Sequence, residues 1–146
     1  MMPWPKLLIT IATYFIAIPV IFALFRYRKL KVSMVAIAGY VFLGGIIQIS
    51  STYVKNQGNN NLWLLHLYTP LEFICILWFY SVVLVGLAKR GWFVWLGLGF
   101  AALSALNTAF LQPPLTFNTY ARSLEGILVI ILCLSWCYQT LTEMKI

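Results

Sequence analysis

Three charged side chains that could do chemistry lie inside otherwise apolar stretches of this chain: Glu72, Arg122 and Glu125. On insertion scales a charge at the centre of a membrane helix costs roughly 2.5–3.5 kcal/mol, so each should face a polar partner, a cavity or the membrane interface. Asn118, Arg122 and Glu125 are spaced by four and three residues, which puts them on one helical face. Tyr68 shares a face with Glu72 in the same way. The pattern predicts either ion pairs of Arg122 with Glu72 or Glu125 that hold helices together, or a polar pocket with Glu72 at its floor and Arg122 near its mouth.

A hydrolytic site could also be assembled from the sequence, with Glu72 as a general base and His66 beside one of three serines, Ser51, Ser104 or Ser123. The sequence contains no Gly-x-Ser-x-Gly elbow, no Gly-rich phosphate loop, no His-Glu-x-x-His motif and no aspartate. His66 is the only histidine, and a single imidazole without a placed nucleophile is more typical of a hydrogen-bonded structural residue. The residues therefore favour a non-catalytic protein.

The three cysteines, Cys75, Cys133 and Cys137, all fall inside apolar stretches. Cys133 and Cys137 share a helical face, but a metal site would need further thiolates or imidazoles nearby. The only imidazole, His66, belongs to the opposite half of the membrane. We therefore interpret the cysteines as small packing residues and predict no metal site and no cofactor.

These residues must be positioned by apolar helices, because 62% of the 146 residues are hydrophobic and 9% are charged. Ordinary soluble domains are about 45–50% apolar and about 25% charged, which excludes a water-soluble globule. About 20 apolar residues cross a hydrocarbon core of about 30 Å. Five stretches have about that length: 7–25, 32–54, 62–87, 92–111 and 120–141. We predict an all-α integral membrane bundle of five transmembrane helices that forms a single transmembrane domain over residues 1–146.

The excess of seven positive charges indicates topology rather than a nucleic-acid partner, because the basic residues lie in short loops instead of on one face. With five crossings, seven of the ten Lys and Arg residues fall on one side: Arg26, Arg28, Lys29, Lys31, Lys89, Arg90 and Lys145. The positive-inside rule then places the N-terminus outside and the C-terminus in the cytoplasm. This predicts a multi-pass protein of the cell membrane, which in a bacterium would be the inner membrane.

With this topology, antiparallel helices bring polar residues from four spans to the outer half of the membrane. The predicted ligand-binding set consists of Gln48, His66, Tyr68, Glu72, Asn107, Asn118, Arg122 and Glu125. Small residues between Gly97 and Thr108 form a stripe that favours close packing of the fourth span on another helix. That stripe, or the surface around Gly44 and Gly45, would also let the chain form a homo-oligomer or dock a membrane-protein partner.

One further pattern consists of the run NNNLWLLHLYTPLEF at 59–73, followed by Asn107, by Phe117-Asn118 and by Arg122 with Leu124-Glu125. This combination resembles a family of small uncharacterised bacterial polytopic membrane proteins over the third to fifth spans. The resemblance implies a helical membrane bundle and carries over no catalytic or binding residue, because no activity is assigned to the family. Members of the family continue into further hydrophobic segments, so the resemblance leaves open a short member or a truncated chain.

The function that these residues favour is that of a non-catalytic integral membrane binding, sensing or accessory protein, with an outward-facing polar pocket for a small or lipidic ligand. The lipid bilayer is one partner, and signalling through such short loops would require a second copy or another membrane protein. Two alternatives remain open. One is an integral membrane enzyme acting on lipids, and the other is a subunit of an oligomeric pore or carrier in which Glu72 and Arg122 line the path.

Overall fold

The computed structural model describes residues 30–84 and 89–143, together with the isolated positions 15, 18, 19, 21 and 25. Within these residues the second to fifth predicted spans form four helices: α1 (Val32–Asn56), α2 (Trp63–Val83), α3 (Arg90–Leu106) and α4 (Thr119–Glu143). Each is long and apolar enough to cross a membrane, when α3 is taken with the turn that extends it to Leu111. The helical prediction is confirmed for these four spans. The predicted first span, 7–25, lies outside the described residues apart from the isolated positions.

The ends of the helices differ from the predicted spans by a few residues, most clearly in α2. The predicted span 62–87 has 26 residues, whereas α2 ends at Val83 and Leu84 forms a bend. The 21 residues of α2 correspond to about 31 Å at 1.5 Å per residue, close to the thickness of the hydrocarbon core. α2 continues through Pro70, so the missing backbone donor of this proline does not end the helix.

α3 ends in a π-helical turn, Asn107–Leu111, where the sequence predicted regular helix up to residue 111. The Gln112 N–H donates to the Asn107 carbonyl five residues earlier (2.8 Å). Pro113 and Pro114 follow at once and cannot continue the helix. The predicted end of this span at residue 111 is confirmed, and the spacing of apolar residues does not register that its last turn is widened. Such turns are frequent at functional sites, and this one begins with the buried side chain of Asn107.

α2 is the central helix, because α1, α3 and α4 all pack against it. The α1–α2 loop and the α3–α4 loop lie at one end of the bundle, where the Asn60 side chain donates to the Leu115 carbonyl (3.2 Å). We call this end the loop end. Along α2 the buried side chains change from His66, Thr69 and Glu72 near the loop end to apolar residues beyond Glu72. The bundle is therefore polar inside near its loops and apolar inside further away.

Apolar side chains from three helices form the core beyond Glu72. Phe73 of α2 and Phe100 of α3 pack with their ring centroids 4.4 Å apart, and neither residue is more than 2% exposed. The other buried members of this cluster are Leu77, Tyr80, Leu84, Phe93 and Leu132. Because lipid tails are as apolar as these side chains, it is their close fit that holds the helices together, not the exclusion of water.

The small-residue stripe of α3 packs on α2 only in part. Gly97 and Ser104 are buried, and a Cβ atom added at Gly97 would lie 3.2 Å from Leu77 Cδ1 and 3.9 Å from Ile74 Cγ1. Ala105 belongs to the same predicted stripe but is exposed. It lies one residue beyond Ser104, and one residue turns a helix by about 100°, away from α2.

Replacing Gly97 with Leu is expected to lower the free energy of unfolding by about 1–3 kcal/mol, because the larger side chain must push α3 away from Leu77. Gly99→Leu is the matched control, since a Cβ atom at Gly99 has no neighbour within 4 Å among the described residues. Denaturant-induced unfolding of both variants in the same detergent measures the difference. Equal stability of the two variants would contradict the packing of α3 on α2 through Gly97.

Candidate functional site

Arg122 links two buried carboxylates. Its Nη1 atom donates to Oε2 of Glu72, and to Oε2 of Glu125 at 3.1 Å. Glu72 on α2 is 5% exposed and Glu125 on α4 is 4% exposed, whereas 53% of the Arg122 side chain is exposed. Arg122 and Glu125 are three residues apart and share a face of α4. The guanidinium thus contacts both carboxylates that the sequence offered as alternative partners.

Tyr40 brings a third helix, α1, to this cluster. Its hydroxyl donates to Glu72 Oε1 (3.0 Å), so both carboxylate oxygens of Glu72 accept a hydrogen bond. Tyr68 lies one turn before Glu72, and its ring centroid is 5.8 Å from Arg122 Cζ, within the range of a cation–π contact. Tyr40 was missing from the predicted set, because spacing relates residues of one helix and does not say which residue of α1 lies beside Glu72. The only feature of the sequence that points to Tyr40 is its position well inside a predicted helix, like the position of Glu72.

Two buried asparagines join the start of α4 to α2 and to the π-helical turn. Asn118 donates from Nδ2 to Thr69 Oγ1 (3.2 Å) and accepts at Oδ1 from Asn107 Nδ2 (3.0 Å). Asn107 Nδ2 also donates to Oε1 of Gln112 (3.2 Å), and that oxygen accepts from the Tyr120 backbone N–H (3.1 Å). The last bond satisfies one of the free N–H groups in the first turn of α4. These bonds fix where α4 begins and, one turn further along, where its guanidinium lies.

His66 is bonded to the loop end and not to Glu72. The residue is 6% exposed, and its Nε2 atom donates to the Thr116 carbonyl (3.0 Å), since a carbonyl can only accept. Its Nδ1 atom lies 2.9 Å from the Thr108 hydroxyl. Both ring nitrogens therefore have partners in the region that connects α3 and α4, which is the structural role that a lone histidine suggested.

Gln48 lies outside the Arg122 cluster. It is exposed and lines a separate cavity of about 250 Å³ together with Ser51, Asn61 and Tyr68. The Asn61 amide donates to the Ser51 hydroxyl beside this cavity. Tyr68 is the one residue common to this cavity and to the cluster, so Gln48 is a neighbour of the site and not part of it.

A cleft opens beside Arg122, between α2 and the start of α4. Its volume is about 590 Å³, within the usual range of small-molecule sites. The residues that line it are Leu65, Tyr68, Thr69, Phe117, Asn118, Thr119, Arg122 and Ser123. Glu72 is almost fully buried and is not a lining residue, so the charged group that the cleft presents is the guanidinium. The predicted pocket with Glu72 as its open floor is corrected accordingly.

The described residues contain no group of three or more His, Cys, Asp or Glu side chains that could hold a metal ion. Cys75 is partly buried, Cys133 and Cys137 are exposed, and all three are free thiols. Several buried oxygens have no hydrogen-bond partner in the described part of the chain, among them Ser104 Oγ, Asn107 Oδ1 and Glu125 Oε1. Of these, the Glu125 oxygen belongs to a formally charged group.

The contact between Glu72 and Arg122 is expected to couple the two residues by about 1–3 kcal/mol in a double-mutant cycle of unfolding. Arg122→Gln alone leaves two buried carboxylates without their cation, whereas Glu72→Gln with Arg122→Gln removes one of these charges as well. Glu72→Gln with Arg90→Gln is the control, because Arg90 lines a different cavity at the far end of α2. The effects of the two control substitutions should add within about 0.5 kcal/mol. The same additivity in the Glu72–Arg122 cycle would contradict the ion pair.

No protein-family model, curated protein or solved structure matches this chain. The resemblance to small bacterial polytopic membrane proteins therefore stays a prediction. What the chain does must be inferred from the charges, hydrogen bonds and cavities of its described residues, and the Arg122 cleft is where these come together.

Proposed function

We propose that this chain is a non-catalytic protein of the cell membrane that binds a small or lipidic ligand in the cleft beside Arg122, as a sensing or accessory component. The observation that carries the proposal is that the Arg122 guanidinium is held in place by ion pairs while its side chain stays partly exposed. Two almost fully buried carboxylates hold it, yet half of the Arg122 side chain is exposed, and Arg122 is one of the residues that line the cleft. A charged group whose orientation is already fixed loses little freedom when a ligand arrives, which favours binding.

The lining of the cleft supports an amphipathic ligand. Leu65 and Phe117 supply apolar surface, while Asn118, Arg122 and Ser123 supply polar groups, a combination typical of ligand sites. A cavity of about 270 Å³ between α2 and α3 offers fewer polar groups, because Ser81 and Arg90 are the polar residues of an otherwise apolar lining. The cleft is therefore the better candidate for a ligand that has both a polar group and a hydrocarbon part.

In this proposal the loop end of the bundle faces outside the cell, and residues 7–25 form a fifth span that places the N-terminus outside. Seven of the ten Lys and Arg residues then lie on the cytoplasmic side, as the positive-inside rule favours. The resemblance to bacterial proteins supports the inner membrane of a bacterium as the location. With this orientation the cleft is open to the outer leaflet and to ligands from outside.

Two features favour binding over the alternatives. Both ring nitrogens of His66 already have partners, which leaves no free imidazole to activate a serine for lipid hydrolysis. Beyond Glu72 the described core is formed by apolar side chains such as Phe73, Leu77 and Phe100, which disfavours a polar path for transport through one chain. A sensing role then requires a second copy or another membrane protein to receive the signal.

Ser123→Trp is expected to weaken lipid binding in the cleft at least about tenfold, because the indole fills space at the cleft without removing an ion pair. Thr142→Trp, at an exposed position near the other end of α4, is the control. Native mass spectrometry of the chain, purified from nanodiscs of a bacterial polar lipid extract, counts the retained lipid. Equal lipid retention by wild type and Ser123→Trp would rule out the cleft as the binding site.

The proposed orientation predicts the labelling pattern of single cysteines in a variant that lacks the three native ones. An impermeant thiol reagent applied to intact cells should label Asn59→Cys and Thr116→Cys, because both positions lie at the loop end. Leu30→Cys should react only after the membrane is permeabilised. The reverse pattern would show that the N-terminus is in the cytoplasm.

A further inference from the structure

The Arg122 cluster has one negative charge in excess. Glu72 and Glu125 contribute two carboxylates, and within residues 30–84 and 89–143 Arg122 is the one cation that contacts them. The two carboxylates are not held equally: both oxygens of Glu72 accept hydrogen bonds, whereas Glu125 Oε1 has no partner among the described residues. An isolated carboxylate oxygen in a buried site is costly. Glu125 is therefore the group whose charge the site stabilises least.

The Arg122 guanidinium has N–H donors beyond those that contact the two carboxylates. Both contacts with carboxylates go to Nη1, so the other two guanidinium nitrogens have no carboxylate partner among the described residues. A planar guanidinium binds phosphate through two parallel N–H bonds, and this geometry favours arginine over lysine at such sites. Ser123 lines the same cleft, and its hydroxyl is a further donor for phosphate oxygens. Leu65 and Phe117 give apolar surface for what the phosphate carries.

A phosphate at Arg122 would compete with Glu125 for the guanidinium. It would also add a negative charge to a site that already has one in excess. If the carboxylate of Glu125 takes one proton from water as the phosphate enters, Glu125 no longer competes for the guanidinium and the site gains no net negative charge. The bound site then has the anions Glu72 and phosphate against the cation Arg122, which is the same net charge as in the empty site.

No other group is better placed to take this proton. The charged groups that act on Glu125 are Glu72 from α2 and Arg122 from α4. The titratable groups around these two are Tyr40 from α1, which donates to Glu72, and Tyr68 and Cys75 from α2, which lie beside Arg122 and Glu72. α3 contributes Ser104 and Asn107 at this level, and its one charged residue, Arg90, is at the other end of the helix. Both oxygens of Glu72 already accept hydrogen bonds, from Tyr40 and from Arg122, whereas Glu125 Oε1 accepts none among the described residues.

We propose, building on the function above, that the cleft binds the phosphodiester group of an anionic lipid or of its soluble headgroup at Arg122, and that Glu125 takes up one proton in the bound state. Uptake of a proton on binding means that affinity rises as the pH falls, by up to about tenfold per pH unit. A phosphodiester is the informative ligand, because a phosphomonoester has its own second pKa of about 6 and would titrate in the same range.

The experiment measures binding of acyl-labelled phosphatidylglycerol to the full chain in maltoside micelles at about pH 6, 7 and 8, by fluorescence anisotropy. Labelled diacylglycerol with the same acyl chains is the phosphate-free comparison. We expect at least about tenfold tighter binding of phosphatidylglycerol, increasing as the pH falls. The double variant Arg122→Gln with Glu125→Gln keeps the net charge of the cluster and should lose this preference, whereas Arg90→Gln should keep it. Glu125→Gln alone should bind phosphatidylglycerol without the pH dependence.

Unlabelled glycerophosphoglycerol distinguishes the two sources of the phosphodiester. If the soluble headgroup displaces phosphatidylglycerol, the result supports a soluble ligand. If phosphatidylglycerol binding requires Arg122 but the headgroup does not displace it, the result supports a lipid ligand. Equal binding of phosphatidylglycerol and diacylglycerol, or equal losses in Arg90→Gln and the double variant, would overturn phosphate recognition. If Ser123→Trp still abolished binding of both lipids in that case, the proposed function would stand without it. A pH dependence that survives in Glu125→Gln would overturn the proton uptake.

Discussion

The contact of Arg122 with Glu72 and Glu125 is the interaction on which the polar half of the bundle depends. The two carboxylates lie almost fully buried on different helices, where an unpaired charge would be costly, and the guanidinium reaches both. Because Arg122 is on α4 and Glu72 on α2, the ion pair sets both the depth of α4 and its rotation against α2. The Tyr40 hydroxyl ties α1 to the same carboxylate. One charged contact thus orients three helices, and apolar packing alone would leave their rotation less defined.

The rest of the polar half positions that contact. Asn118 and Asn107 connect the start of α4 to Thr69 of α2 and to the π-helical turn, and His66 ties the same loop region to α2. These bonds hold the loop end closed on one side, while the cleft between Leu65 and the first turn of α4 stays open. The apolar core beyond Glu72 packs by shape and needs no such network. α2 is therefore divided into a half that makes polar contacts between helices and a half that packs by shape.

The sequence predicted the four helices of the described residues, because their lengths and composition match the thickness of a membrane. It also offered Glu72 and Glu125 as partners of Arg122, and the guanidinium contacts both. It missed what depends on how helices face each other. Tyr40 meets Glu72 through the rotation of α1, and Gln48 turns away to another cavity for the same reason. The π-helical turn at Asn107 is a change in backbone hydrogen bonding, which the spacing of apolar residues does not contain.

Under the proposed function, Arg122 has two tasks that compete, because the group that holds α4 to α2 is also the group that the cleft presents. A ligand changes the conformation of a protein only as far as it makes different contacts in the two states. A guanidinium meets this condition without unfolding the bundle, since Nη1 can keep Glu72 while the other nitrogens bind an anion. The contact with Glu125 is then the one that changes, and it lies within α4, where Arg122 and Glu125 share a face. Binding would thereby alter the first turns of α4 while the Glu72 contact keeps that helix on α2.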